Sequence, residues 1–103
     1  MSRILYAEAF SHTVVLYLIP EKSGEIICRE VKKNLGDMAE LLPRAGFFRC
    51  HRSYLVQLPY IRKIEKTQVF LDYGAVVPVS RGKREELYQA FLEYHKGSAA
   101  FGM

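Results

Sequence analysis

The segment Phe47–Leu58, which reads FFRCHRSYLVQL, does most to decide the fold. Its aromatic and β-branched residues favour a strand, and the polar centre Cys50–Ser53 predicts a bulge or kink within that strand. A second cluster of cations follows an apolar strand at residues 78–84, PVSRGKR. Two cationic clusters on one small β-rich chain predict a surface that binds a polyanion.

Other short segments of β-branched and aromatic residues predict a mainly β chain. We expect strands at Ile4–Ala9, Thr13–Ile19, Glu25–Val31, Tyr60–Ile64, Gln68–Tyr73 and Val76–Val79. Turns are expected at Phe10–His12, Lys22–Gly24 and Asp72–Ala75, where the residue types suit tight connections. Because Pro78 has no N–H to donate, it marks the last strand as an edge strand or a bulge.

A short helix is expected after the third strand. Asn34 is a suitable N-cap, Asp37 falls in the first turn, and Pro43 ends the helix. Its apolar face is formed by Leu35, Met38, Leu41 and Leu42. The spacing of that face predicts packing against a sheet.

A terminal helix is predicted over Lys83–His95, with Gly97 as its stop. Lys83 and Arg84 lie in the first turn, where the helix dipole mildly disfavours cations, which suggests that they are kept for a partner. The 103 residues suit one domain. We place that domain at residues 1–96 and expect residues 97–103 to form a flexible C-terminal tail.

The basic residues are unevenly distributed. Residues 44–84 hold nine Lys or Arg against two acids, a net charge of +7, while the rest of the chain nets −3 and leaves +4 in total. Such asymmetry favours nucleic acid or an anionic membrane surface as the partner over a small acidic molecule. The alternative is a solvated face with an excess of Lys and Arg.

The two cysteines, Cys28 and Cys50, are too few for a disulfide framework or a zinc site. Both lie in apolar strand-like contexts, so we interpret them as small buried hydrophobes. The alternative for Cys50 is a reactive thiol, because the cations at Arg49, His51 and Arg52 would favour its thiolate.

No pattern of an active site is present. The sequence has no glycine-rich phosphate loop, paired-histidine metal motif or nucleophile elbow, and few acids lie near Ser53 and Ser80 to orient a catalytic histidine. We therefore expect no enzyme, no cofactor and no metal. The uncharged run at residues 9–20 is shorter than the ~20 residues that a bilayer span needs, and no secretory signal is visible. The expected location is the cytoplasm.

Several polar residues at strand ends are candidates for a nucleic-acid surface. Arg52 would reach guanine or phosphate oxygens, and Arg81 would project from a strand-to-helix corner. His12 is either an exposed loop histidine or a contact to a base or phosphate. His51 would contact DNA or hydrogen-bond the backbone of its own loop, and we favour the second role. The residues assigned to phosphate or backbone contacts are Arg49, His51, Ser53, Lys63, Ser80, Lys83 and Arg84.

The chain resembles the LytTR family of bacterial DNA-binding domains. The resemblance rests on Phe48–Val56, which contains His-Arg-Ser-Tyr-Leu-Val, followed by Tyr60-Ile61, Gly74 and Pro78–Arg81. The opening Ile4–Glu8 is also similar to the family's first strand, an apolar run closed by an acid. The match extends from about Ile4 to Leu92.

This resemblance implies a fold and a function. The family is mainly β, an elongated stack of small antiparallel sheets with short helices. Its members are output domains of two-component response regulators, which insert loops into successive major grooves of promoter DNA and bend the duplex. The family's base-contacting positions fall on His12, Arg52 and Arg81. The resemblance also implies that two copies could pair on repeated half-sites. A sensor kinase is a further implied partner where a receiver domain is attached.

Two other functions fit the residues. One is a protein-interaction module whose β surface and terminal helix bind a partner. The other is a single-stranded RNA binder, in which exposed rings such as Tyr54, Tyr60 or Tyr73 would stack on bases.

Overall fold

The computed structural model describes residues 3–20, 24–41 and 46–102. Its helices within these residues are α1 (Leu35–Leu41) and α2 (Arg84–Gly102). Its strands are β1 (Ile4–Ala9), β2 (Val14–Leu18), β3 (Ile27–Val31), β4 (Phe47–His51), β5 (Tyr54–Gln57), β6 (Ile61–Ile64), β7 (Gln68–Leu71) and β8 (Val76–Pro78).

The strands form two antiparallel sheets. A five-stranded sheet has the order β3-β2-β1-β5-β4, and a three-stranded sheet has the order β6-β7-β8. A 3-10 turn at Leu58–Tyr60 connects them. Pro78 lies on the edge strand β8, as predicted, where its missing N–H removes no ladder bond from a central strand. The mainly β architecture with one short internal helix and a C-terminal helix is thus confirmed.

Each face of the five-stranded sheet has its own core. On one face, α1 covers a small apolar cluster made of Ala7, Val14, Leu35, Met38 and Leu55. On the other face, the three-stranded sheet and α2 share a larger core, whose fully buried members are Leu5, Cys50, Val56, Val69, Leu71, Val77 and Leu87. Leu55 and Val56 are adjacent in β5 and enter different cores, which is the alternation that a strand buried on both faces requires.

The prediction of one bulged strand over Phe47–Leu58 is wrong. Residues 47–51 and 54–57 are two strands that pair antiparallel, with His51 opposite Tyr54 and a two-residue turn at Arg52-Ser53. A register shift does occur between Phe48 and His51, within β4. The reversal takes place because side chains close the turn: the Ser53 N–H donates to His51 Nδ1 at 3.0 Å.

The predicted start of α1 is confirmed. Asn34 caps the helix, since its side-chain oxygen accepts the backbone N–H of Asp37 at 2.7 Å. Leu35 and Met38 are buried against the sheet. The expected stop at Pro43 lies outside the described residues, as does most of the predicted turn Lys22–Gly24.

The structure also corrects the predicted end of the terminal helix. Helix α2 continues through Gly97 to Gly102. A glycine in a helix interior costs about 1 kcal/mol relative to alanine, which disfavours the helix without ending it. The domain boundary at residue 96 stays a prediction.

The remaining turn and cysteine predictions have mixed outcomes. The turn at Asp72–Ala75 is confirmed, with the Leu71 N–H donating to the Ala75 carbonyl at 2.8 Å. Cys50 is buried as expected, but Cys28 is exposed, so its assignment as a buried hydrophobe is wrong. Strand β3 is an edge strand whose residues are mostly exposed, and an edge position leaves less opportunity for burial.

Candidate nucleic-acid interface

The first of the turns that carry the candidate residues is the β1–β2 turn, residues 10–13. The Phe10 N–H donates to the Thr13 carbonyl at 2.8 Å, which closes the hairpin with His12 exposed at its tip. Strand β1 also pairs with β5, and the Ala9 N–H donates to the Ser53 carbonyl at 2.8 Å. This bond holds the β1–β2 turn beside the turn between β4 and β5.

The β4–β5 turn presents Arg52 to solvent. Its backbone is held from both sides: Ser53 donates to His51 Nδ1, and Arg49 Nη2 donates to the Arg52 carbonyl at 2.8 Å. Because Nδ1 accepts this bond, Nε2 carries the proton of the neutral imidazole and can donate a hydrogen bond. The favoured structural role of His51 is therefore confirmed, and its other nitrogen stays available to a ligand.

The β8–α2 corner, residues 80–83, is tied to the same end of the molecule. The Ser80 N–H donates to the Cys50 carbonyl at 2.9 Å, and the Lys83 N–H donates to the Ser80 carbonyl at 2.9 Å. Gly82 adopts φ +86°, a left-handed conformation that glycine reaches without strain. This tight turn leaves Arg81 exposed on its outer side. We call the end formed by residues 10–13, 52–53 and 80–83 the basic end.

A first cleft lies between the β4–β5 hairpin and the corner. It has a volume of about 300 Å³, and the residues that line it are Arg49, His51, Arg52, Ser80 and Lys83. All five were among the predicted contacts. Its lining brings three cations together with a hydroxyl and an imidazole, which is a set of donors suited to phosphate oxygens.

A second cleft lies on the other side of the corner. It also has a volume of about 300 Å³ and is lined by Lys66, Thr67, Arg81, Gly82 and Arg84. The β6–β7 turn reaches this place because the Val79 N–H donates to the Thr67 carbonyl at 2.9 Å. Sequence reasoning missed Lys66 and Thr67. Lys66 could have been noticed as a lysine in a predicted turn. Its approach to Arg81, however, depends on the bond between Val79 and Thr67, which are twelve positions apart in the chain.

The eight cations of residues 49–84 fall into two groups. Some are paired with carboxylates on the surface: Arg62 with Asp72 at 3.3 Å, Lys63 with Glu65 at 3.0 Å, Lys83 with Glu86 at 3.5 Å and Arg84 with Glu85 at 3.3 Å. In contrast, Arg49, Arg52, Lys66 and Arg81 have no carboxylate partner in the described part of the chain, and all four line the clefts. Exposed ion pairs are worth only about 0–1 kcal/mol, so a phosphate can replace the partners of Lys83 and Arg84.

Lys63 and Ser53 line neither cleft. Lys63 contacts Glu65 and lies 5.9 Å from the centre of the Phe70 ring. Its ammonium group lowers the pKa of the Glu65 carboxyl. Ser53 uses its backbone N–H and carbonyl to join His51 and Ala9. The structure thus gives Ser53 a role in holding the turns together.

A carboxylate network supports the basic end from within the sheet. Glu8 accepts the hydroxyl of Tyr17 at 3.0 Å and that of Tyr54 at 2.8 Å, and so joins β1 to both of its neighbours. The Tyr54 ring meets the His51 ring edge-on at 5.5 Å between centres. Burial, and then the bond to Glu8, raises the pKa of Tyr54 to about 12 and also raises that of Tyr17.

We expect Tyr54→Phe to lower the free energy of unfolding by about 1.5–3 kcal/mol, because one hydrogen bond to a charged carboxylate is lost. The folded state favours the neutral phenol, so this contribution is complete below pH 10 and fades as the pH rises toward 12. Urea unfolding at pH 7 and pH 11 measures both effects, and the variant should lose less stability than the parent over that interval. Tyr88→Phe, on an exposed ring of α2, is the control. If Tyr54→Phe and Tyr88→Phe lower the free energy of unfolding equally, the hydrogen bonds to Glu8 do not stabilise the sheet as described.

Cys50 belongs to the core beneath the first cleft. Its thiol is buried and lies 3.5 Å from the Pro78 carbonyl oxygen. Burial raises the pKa of Cys50 to about 12, which disfavours the thiolate at neutral pH. The interpretation of Cys50 as a buried hydrophobe is confirmed.

The residues 1–92 match a family model described as the LytTr DNA-binding domain. The chain belongs to this family. The family model covers both sheets and the first half of α2, so the whole basic end lies within the matched residues.

Relatives and a solved structure agree with this assignment. The LytTr domain is 35% identical over 92 residues to the transcriptional regulatory protein YpdB of Escherichia coli strain K12, an alignment covering 84% of this chain and 35% of YpdB. It is 33% identical over 101 residues to the sensory transduction protein LytT of Oceanobacillus iheyensis, covering 91% of this chain and 39% of LytT. A solved LytTr DNA-binding domain from Bacillus cereus is similar with a TM-score of 0.71 and 27% identity, covering 85% of this chain and 80% of the other. This LytTr domain therefore spans little more than a third of the two regulators.

The three tyrosines named as candidates for base stacking, Tyr54, Tyr60 and Tyr73, do not form one exposed surface. Tyr54 is half-buried and bound to Glu8, and Tyr60 packs against the larger core. Tyr73 is 55% exposed, but it lies in the β7–β8 turn, at the opposite end of the three-stranded sheet from Thr67. The arrangement does not favour single-stranded RNA binding.

Neither helix of the described residues combines the length and apolar character that crossing a bilayer requires. The described residues also contain no group of three or more His, Cys, Asp or Glu side chains placed to hold a metal ion.

Proposed function

We propose that this LytTr domain reads double-stranded DNA in a sequence-specific manner as the DNA-binding part of a bacterial transcriptional regulator, with no enzymatic activity. The observation that carries the proposal is the gathering of His12, Arg52 and Arg81 at one end. Each is exposed at the tip of a turn, and hydrogen bonds between backbones hold the three turns together. Sets of donors on projecting turns are suited to base edges in a groove.

The turns have shapes that a major groove accepts. The β1–β2 and β4–β5 hairpins lie side by side in the five-stranded sheet, so the tips of their turns, and not whole hairpins, would enter a groove about 12 Å wide. In our proposal Arg52 and Arg81 contact guanine or backbone oxygens and His12 contacts a base edge, with the hairpin turns and the corner in successive grooves. Bending of the duplex belongs to the same proposal, since curvature would let both clefts meet phosphates at once.

The clefts would hold the phosphate backbone. Arg49, His51, Ser80 and Lys83 line the first cleft, and Arg84 lines the second. Ser53 and Lys63 line neither cleft and stay proposed backbone contacts. Contacts of this kind fix the register of the protein on the duplex but carry no sequence information.

The names of two relatives support a proposal about the whole protein and its partners. YpdB and LytT are named as a transcriptional regulatory protein and a sensory transduction protein. By similarity, we infer that this domain serves a cytoplasmic response regulator of a two-component system. A sensor kinase would act on it where a receiver domain is attached, and two copies would pair on repeated half-sites.

Selection of bound sequences from a random duplex pool tests the proposal. We expect a defined motif, duplex affinity that falls steeply as salt rises, and weaker competition by single-stranded RNA. DNA bending is checked separately by circular-permutation electrophoresis on the selected site. Binding without any enriched motif would contradict sequence-specific reading. Binding insensitive to salt, or stronger for RNA, would favour one of the two rival functions.

Removal of Lys83 tests the phosphate role of the first cleft. We expect Lys83→Ala to weaken selected and random duplexes alike and to make the slope of log affinity against log salt shallower by about one unit, because about one counterion fewer is released. Fluorescence anisotropy at several salt concentrations gives the slope. Arg29→Ala, an exposed cation on the far edge strand β3, is the matched control and should leave it unchanged. A loss confined to the selected site would show that Lys83 reads sequence instead.

A further inference from the structure

Phe10 is an exposed aromatic residue in the β1–β2 turn. Its side chain is 52% exposed. Single exposed hydrophobic residues are common on protein surfaces, so exposure alone carries no function. Its place is unusual, however, because among the large exposed hydrophobic residues of the described chain only Phe10 lies in a turn of the basic end; the others are Ile27, Tyr73, Val76, Tyr88 and Leu92.

The fold holds the position of Phe10 closely. Its own N–H donates to Thr13, and the preceding Ala9 N–H donates to Ser53, so the residue is fixed between His12 and the β4–β5 turn. Tyr6 and Glu8 lie on one face of β1, and Phe10 follows the last residue of that strand. Tyr6 stacks on Tyr17 at 4.2 Å, and Glu8 accepts two tyrosine hydroxyls. Phe10 has no such aromatic partner in the described residues, and its exposed ring is open to a ligand.

The chemistry of the major groove offers one suitable partner. Base edges there present hydrogen-bond donors and acceptors, and the largest apolar group among them is the 5-methyl of thymine. The proposed function supplies a duplex as the occupant, and the cations of the basic end suit its phosphates, while the ring of Phe10 can satisfy no donor or acceptor. An apolar ring beside His12 therefore fits the thymine methyl group better than any other group on a base edge.

We propose that Phe10 packs on the 5-methyl group of a thymine in the major groove, next to the position reached by His12. The inference rests on the proposed function, since it requires the β1–β2 turn to enter that groove. It makes Phe10 a specificity-determining residue for T against C, because cytosine lacks the methyl group at the same place.

Replacing single thymines of the selected duplex by deoxyuridine tests the contact, since only the methyl group is removed. At one position we expect wild-type affinity to fall about fourfold, the effect of one buried methyl-sized group. The Phe10→Ala variant should bind the thymine duplex about as weakly as the wild type binds the uracil duplex. Deoxyuridine at that position should not lower the affinity of the variant any further. At the other thymines, the variant should respond to deoxyuridine as the wild type does. Fluorescence anisotropy measures each pair, and thermal melting checks that the variant is folded.

Tyr73→Ala is the matched control, because it removes an exposed aromatic from a turn at the other end of the three-stranded sheet. It should retain the thymine preference of the wild type at every position. The inference is overturned if no thymine position is coupled to Phe10, or if Phe10→Ala alters the DNA bend angle with no change in thymine preference, which would indicate a wedge between bases. If the wild type enriches no motif at all, the proposed function fails and this inference fails with it; a motif without Phe10 coupling refutes the inference alone.

Discussion

Arg81→Ala is expected to weaken binding to the selected duplex by about 1–3 kcal/mol and to relax base preference at one position of the site. Arg81 is exposed on the outer side of the 80–83 corner. It has no carboxylate partner in the described residues, so DNA binding breaks no ion pair. The rigid corner, with Gly82 in a left-handed conformation, presents the guanidinium with little loss of backbone freedom.

The charge and the shape of the Arg81 side chain should contribute separately to DNA affinity and to base preference. Arg81→Lys keeps the positive charge but loses the planar fork that contacts guanine O6 and N7 together. We therefore expect the lysine variant to restore most non-specific affinity and little of the base preference. Repeating the duplex selection with both variants gives the preference at every position, and anisotropy gives the affinity.

Arg62→Ala provides the control for charge. Arg62 is also an exposed arginine, but it pairs with Asp72 and lies at the end of the three-stranded sheet opposite to the basic end. Its loss should change affinity only slightly and leave every base preference intact. If Arg81→Ala behaves like Arg62→Ala, the assignment of Arg81 to a base contact is wrong.

The largest effect on stability is expected from Leu87→Ala, which should lower the free energy of unfolding by about 2–5 kcal/mol. Leu87 is fully buried in the core that the two sheets share with α2. Its N–H also donates to the Lys83 carbonyl at 2.9 Å in the first turn of α2. Truncation removes apolar contacts and leaves a cavity directly behind the corner. Since the free energy of unfolding of a small domain is only about 5–15 kcal/mol, the variant should keep only a small part of its stability.

Urea denaturation measures this loss, with Leu92→Ala as the matched control on the same helix. Leu92 is 41% exposed, so the same substitution should cost much less there. Similar losses at both positions would show that Leu87 does not join α2 to the sheets in the way that its burial indicates.

Local patterns predicted most elements correctly. The Asn34 cap, the turn at Asp72–Ala75 and the edge position of Pro78 follow from backbone chemistry that involves few neighbours. The hairpin at Arg52-Ser53 was missed because neither residue is a glycine or asparagine, the usual signal for a tight turn. An acceptor on His51 supplies the closure instead. The length of α2 was also missed, because Gly97 only weakens a helix whose other residues continue it.

The candidate residues could be chosen one by one from the sequence, but their arrangement could not. Local chemistry and the family resemblance both indicated Arg52, Arg81 and His12. Their gathering depends on the Ala9–Ser53 and Cys50–Ser80 hydrogen bonds, which join residues more than 25 positions apart. For the same reason Lys66 was not chosen: its turn approaches Arg81 only through the three-stranded sheet.

The roles of the ten predicted contact residues remain predictions, and mapping the bound surface tests them together. In amide NMR spectra recorded during titration with the selected duplex, we expect the largest shift changes at residues 10–13, 51–54, 66–67 and 80–84. The turns at 58–60 and 72–75, on the opposite side of the three-stranded sheet, should change little. Changes centred on those two turns, with the basic end unaffected, would contradict the claim that this end of the domain binds DNA.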